Sequence, residues 1–120
     1  MSAQKVQIYH NPRCSKSRET LALLQANNIQ PQIVLYLDNP PDHSALQQLL
    51  IKLGFQSARQ LMRTKEDLYK ELKLDDQTLT QTQLIDAMVQ NPKLIERPIV
   101  VVNDQARIGR PPEQVLEIVA

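Results

Sequence analysis

The 120-residue sequence predicts an α/β domain: one four-stranded mixed sheet carrying helices, with a helical lobe inserted in its middle. Three observations lead there. Apolar runs at Val6 to Tyr9 and Ile33 to Tyr36 flank a helical stretch, which makes a βαβ unit with parallel strands and a right-handed crossover. Helical patterns then fill residues 42–91. Two further strand-like runs joined by a short turn, and a last helix, close the chain. The whole reads as a single domain over residues 1–120.

Each element has its own signal. Val6 to Tyr9 is short and apolar, a buried strand. Ser15 to Ala26 turns Leu21, Leu23 and Leu24 toward a core and ends near Asn27-Asn28, where Asn tolerates the left-handed conformation. Ile33 to Tyr36 reads as a second buried strand. Pro40-Pro41 breaks the pattern, and Asp42 can cap the next helix. That helix places Leu46, Leu49, Leu50 and Leu53 on one face and stops at Gly54. Ser57 caps a short helix holding Leu61 and Met62. Thr64 to Asp67 resembles a capping box ahead of Leu68 and Leu72, and Thr80 to Gln83 is a fuller one ahead of Leu84, Ile85, Met88 and Val89. Asn91-Pro92 stops that helix. Ile99 to Val102 is the strongest strand signal in the chain. Asn103-Asp104 turns it back into Gln105 to Ile108. Pro112 then suits the first turn of a helix carrying Val115, Leu116 and Val119.

Composition narrows the function classes. A formal charge of +1 points to neither nucleic acid nor a membrane surface. With three Tyr, one Phe and no Trp, a base-stacking surface is not expected. No apolar run approaches the ~20 residues of a membrane helix, and the N-terminus shows no signal-peptide pattern. One cysteine cannot form an internal disulfide. A soluble, cytoplasmic, monomeric protein is the expectation.

The chemistry gathers at Ile8 to Arg18. Cys14 stands where the first strand passes into the first helix. Unpaired N–H groups and the helix dipole favour an anion there, hence the nucleophilic thiolate over the thiol. Arg13, Lys16 and Arg18 add positive charge nearby against Glu19 alone. A buried structural cysteine is the plain alternative, but it leaves the basic surroundings without a reason. Cys14 is followed by Ser15, Lys16 and Ser17, so a C-x-x-C redox cycle is excluded. One Cys and two His, His10 and His43, are too few for a metal site. A phosphatase-type loop needs Arg six positions after the cysteine, where Thr20 stands. Arg63, Arg97 and Arg110 lie where elements begin or end, and three guanidiniums at a helix start could bind a tetrahedral oxyanion. Taken singly, each is more often a surface residue.

These residues resemble a family. Tyr9-His10-Asn11-Pro12-x-Cys14, Leu61-Met62-Arg63, Arg97-Pro98-Ile99-Val100-Val101 and Arg110-Pro111 are similar to the glutaredoxin-coupled arsenate reductases of the ArsC type, most of all their short bacterial branch. The similarity runs from about residue 6 to the C-terminus. It implies a thioredoxin-like fold, which agrees with the order of elements. It implies Cys14 as nucleophile, with Arg63, Arg97 and Arg110 binding the oxyanion. His10 would help to keep the thiol ionised, and Pro98 would be the cis-proline beside it. Arsenate or a similar oxyanion would be the substrate. Ser15-Lys16-Ser17 stands where the characterised reductases have Gly-Thr-Ser. No bound cofactor is implied. Reduction takes two electrons and this chain offers one sulfur, so glutathione would be co-substrate and glutaredoxin would clear the resulting mixed disulfide. Two other readings stay open: an Spx-like transcriptional regulator binding RNA polymerase, and a glutathione-dependent thiol oxidoreductase with another substrate.

Overall fold

The computed structural model describes residues 5–119. Its strands are β1 (Val6–Tyr9), β2 (Gln32–Val34), β3 (Ile99–Val102) and β4 (Gln105–Ile108). Its helices are α1 (Ser15–Ala26), α2 (His43–Leu53), α3 (Asp67–Glu71) and α4 (Gln81–Gln90), with 3-10 turns at Ala58–Leu61, Pro92–Leu94 and Pro112–Glu117. The chain divides into two compact units. One runs to Asn39 and resumes at Arg97, and the other is Pro40–Glu96.

The first unit is built on a sheet of order β2-β1-β3-β4. β1 is parallel to β2, with Ile8 opposite Ile33. It is antiparallel to β3, with Ile8 opposite Val100, and β3 is antiparallel to β4. This mixed sheet, with α1 crossing from β1 to β2, is a thioredoxin-like fold. All four residues of β3 are buried, which is why its sequence is a continuous β-branched run rather than an alternation. Val6, Ile8, Leu24, Val100, Val102 and Val115 form its core, and Leu21 packs against them. Asn28 takes φ 63° just after α1, and Asn103 takes φ 55° in the β3–β4 turn.

Two expectations about this unit are corrected. Ile33 to Tyr36 is not a buried strand: β2 is Gln32–Val34 at the sheet edge, and Ile33 is 46% exposed. Of that run only Tyr36 is buried, because an edge strand has a neighbour on one side alone. The last helix is a 3-10 turn. Its period of three residues aligns Pro112, Val115 and Ile118, all buried, and leaves Leu116 exposed.

The second unit is helical. Asp42 caps α2 by accepting the Ala45 N–H at 2.8 Å, and Gly54 ends it at φ 74°. Complete capping boxes open the Ala58–Leu61 turn and α4, each holding a helix start by about 1 kcal/mol. The box read at Thr64 to Asp67 does not form. α3 starts at Asp67 with Glu66 as an N-cap whose side chain makes no capping bond. The Glu66 carboxylate is engaged by Arg63 and Lys93 instead. Among the described residues no helix is long and apolar enough to cross a membrane.

Candidate active site

The loop from β1 to α1 is held by its own residues. The Asn11 side-chain oxygen accepts the Arg13 N–H at 3.0 Å, and its carbonyl accepts the Cys14 N–H at 3.0 Å. Arg18 reaches back from α1 and donates to the Pro12 carbonyl at 2.9 Å. Cys14 is thereby fixed as the N-cap of α1, in extended backbone conformation. The first turn of that helix has no acidic side chain to occupy its N–H groups.

Cys14 is 8% exposed. Burial pushes its thiol pKa up. The Ser17 N–H, the Arg97 charge and hydrogen bond, and the Lys16 N–H pull it down, and together they prevail, so the pKa lies below the ordinary thiol value. Neither N–H makes a cap bond of strict length and angle. Sulfur is a large, diffuse acceptor, and the Ser17 and Lys16 N–H dipoles still favour its anion. Arg110 adds a second guanidinium, with Nη2 3.7 Å from Cys14 Sγ.

The sheet register explains why Arg97 and Arg110 meet. Ile99 pairs with Ile108, and the Gly109 N–H donates to the Pro98 carbonyl at 2.9 Å. One step further, Arg97 and Arg110 face each other, and Arg110 Nε donates to the Arg97 carbonyl at 2.8 Å. Both arginines precede cis-prolines, Pro98 and Pro111. The Tyr9–Ile99 pairing brings the end of β1, and so the Cys14 loop, beside the start of β3. Arg97 Nε is buried with no hydrogen-bond acceptor among the described residues.

Gly109 lets these parts close up. A Cβ there would stand 2.5 Å from Thr20 Oγ1 and 2.8 Å from Pro98 Cγ, and Thr20 is itself pinned by donating to the Lys16 carbonyl at 2.8 Å. Gly109→Ala is therefore expected to cost about 1–3 kcal/mol through overpacking. The check is a lower urea midpoint with an unchanged slope.

His10 lies beside this arrangement, 6% exposed. Its Nδ1 is 2.6 Å from Ser17 Oγ, which also accepts the Asn11 N–H at 3.0 Å. Burial, and then the Arg18 charge, lower the His10 pKa. The ring is thus neutral at pH 7, and Nδ1 can accept the Ser17 hydroxyl proton. His10 brings no positive charge to the thiolate by this geometry. It holds Ser17, whose N–H favours the Cys14 anion. Ser17 was absent from the sequence-derived candidates, since a serine in a first helical turn reads as a helix-start residue. Its place three residues after the cysteine, where a C-x-x-C motif carries its second sulfur, was the available signal.

Arg63 belongs to the helical unit. Its N–H donates to the Leu94 carbonyl at 2.7 Å, and its guanidinium pairs with Glu66 at 2.8 Å and Glu96 at 3.8 Å. No group of three metal-ligating side chains occurs among the described residues.

The fold and the site define a thioredoxin-fold protein with a single activated thiol at the first helix start. The chain belongs to the ArsC family, whose model matches residues 9–118. It is 66% identical to the uncharacterised protein YfgD of Escherichia coli strain K12, over 97% of this chain and 98% of that one. It is 57% identical to an arsenate reductase of Haemophilus influenzae, over 92% of this chain and 96% of that one. Among solved structures, an arsenate reductase from Vibrio cholerae superposes with a TM-score of 0.96 at 58% identity, covering 98% of this chain and 100% of that one.

Proposed function

We propose that this protein reduces arsenate to arsenite, with Cys14 as nucleophile and with glutathione and glutaredoxin as its source of electrons. The observation that carries the reading is the pairing of a thiol held toward its anion with two guanidiniums. Arg110 Nη2 is 3.7 Å from the sulfur, and Arg97 offers a buried Nε–H that lacks an acceptor among the described residues. A thiolate does not approach an arsenate anion unaided. Fixed cations that meet the charge on oxygen remove that repulsion. The family and its arsenate reductase members support arsenate as the substrate.

The Cys14 thiolate attacks arsenic, a Cys14 S–As(V) bond forms, and one arsenate oxygen leaves as water after taking up protons. Glutathione then joins its sulfur to that of Cys14. The S–As bond breaks with its electron pair on arsenic, and arsenite departs. Arsenic gains two electrons and the two sulfurs give up one each, becoming a mixed disulfide. Glutaredoxin, itself re-reduced by glutathione, clears that disulfide by thiol exchange. Arg97 and Arg110 hold the oxyanion through both steps. Arg63 joins them in this reading on its sequence pattern. Neutral His10 acts by keeping Ser17 in place.

The test is arsenate-dependent consumption of reducing equivalents with glutathione, glutaredoxin and glutathione reductase supplied. The expected result is saturable turnover that requires both thiol components. Absence of turnover at every arsenate concentration would overturn the proposal.

A further inference from the structure

A groove of about 510 Å³ runs beside the Cys14 loop, within the first unit. One wall is Pro12 and Arg13, the residues immediately before the nucleophile. The other is Leu35, Leu37 and Asp38, just after β2. The groove therefore lies at the carboxyl ends of the parallel pair β1 and β2. Open α/β sheets bind ligands at such crevices. Its size falls within the ~300–1,000 Å³ of small-ligand sites.

Its lining is unusual for plain surface. Leu35 and Leu37 are 37% and 42% exposed, although the sequence places Leu35 in a buried strand. A turn holds them outward: the Asp38 and Asn39 N–H groups both donate to the Leu35 carbonyl, and Tyr36 between the two leucines is buried. Arg13 and Asp38 carry opposite charges on the same groove, and neither side chain makes an ion pair among the described residues. A cation, an anion and an apolar floor on the loop that leads to Cys14 match a small zwitterionic peptide thiol, which carries a carboxylate, an ammonium and an aliphatic stem around its sulfur.

We infer that this groove is the subsite for the thiol co-substrate, a peptide thiol of the glutathione class. Arg13 takes a carboxylate, Asp38 takes the ammonium, and Pro12, Leu35 and Leu37 cover the stem. The inference rests on the reading that Cys14 draws its second sulfur from solution. It explains how a protein with one cysteine selects that sulfur. Arg13, on the groove, is the residue immediately before Cys14, so a thiol seated there lies next to the loop position that carries the sulfur.

The experiment does not use arsenate, so its failure is distinct from failure of the proposed activity. Cys14 is first converted to its mixed disulfide with thionitrobenzoate, and release of that coloured thiol is followed with increasing glutathione or 2-mercaptoethanol. The thiol enters as nucleophile, a new disulfide forms on Cys14, and thionitrobenzoate leaves with the electron pair. The rate is expected to saturate with glutathione and to stay linear with 2-mercaptoethanol, which has no charged ends. Asp38→Lys is the decisive variant. A general electrostatic effect would speed the net-negative glutathione, whereas loss of an ammonium partner slows it. The expected result is at least a fivefold fall with glutathione and no change with 2-mercaptoethanol. The glutathione analogue lacking the amino group should be insensitive to the substitution. A linear glutathione dependence in the wild type, or a glutathione rate in Asp38→Lys that is unchanged or raised, would overturn the inference.

Discussion

Cys14→Ser is expected to abolish arsenate-dependent turnover, to assay background and at least about a thousandfold below wild type. The loss is larger than removal of a nucleophile alone implies. The sulfur does two things in the proposed cycle: it attacks arsenic, and it supplies one of the two electrons that reduce it. A serine hydroxyl could in principle form an arsenate ester, but it cannot end in a disulfide. No slow second pathway through position 14 survives, and no other cysteine exists in the chain to replace it. The variant should still fold, since the loop is tied by Asn11 and Arg18 rather than by the thiol. Its stability should nevertheless fall behind wild type as pH rises. The lowered pKa means that, between the folded and unfolded values, the folded protein favours the thiolate where the unfolded chain keeps the thiol. That contribution is absent below the folded pKa and complete above the unfolded one. Equal turnover by wild type and Cys14→Ser would end the account.

Arg97→Ala is expected to lower kcat/KM for arsenate by about 10²–10³, the scale measured when one fixed donor to a developing anion is removed. The argument has two parts. Arg97 lowers the Cys14 pKa by its charge and by its hydrogen bond. Removing it shrinks the thiolate fraction and leaves the desolvation of the sulfur less opposed. Arg97 also carries a buried Nε–H without an acceptor among the described residues, a donor that the proposal assigns to the oxyanion. The first effect is recovered by raising the pH and the second is not. A pH profile of kcat/KM therefore separates them: the variant's profile should shift to higher pH and still reach a lower plateau. Arg97→Lys should restore the pH position better than the plateau, because an ammonium supplies the charge but not the planar fork. A plateau equal to wild type would reduce Arg97 to a tuner of the thiol.

Much of this was legible in the sequence, for physical reasons that can be named. The β3 run Ile99 to Val102 is buried on both faces, and a continuous β-branched tetrad has little other use. Thr80 and Ser57 cap helices because their side-chain oxygens meet N–H groups that nothing else satisfies. The position of Cys14 at a helix start was legible from its place between an apolar run and a helix pattern. What escaped depends on neighbours distant in sequence. Ile33 and Leu35 have strand-core composition, yet the edge position of β2 leaves Ile33 exposed and the turn that follows β2 leaves Leu35 exposed. Glu66 is drawn away from capping by Arg63 and Lys93. His10 precedes Cys14 in the same loop, but its side-chain partner is Ser17, in the first turn of α1. The closeness of Arg97 to Arg110 follows from the β3–β4 register, which a sequence suggests only once the hairpin is aligned residue by residue.

The most direct test of the central claim is the rate of Cys14 alkylation by iodoacetamide across pH, with and without arsenate. Iodoacetamide is neutral, so the rate follows the thiolate fraction rather than the charge of the site. A thiolate favoured by the Ser17 and Lys16 N–H groups and by Arg97 should react with a midpoint clearly below the ~8.5 of an ordinary cysteine. Arsenate seated on the arginines should slow the reaction in a saturable way, and Arg97→Ala should weaken that protection. A midpoint at the ordinary value, together with a rate indifferent to arsenate, would contradict the account.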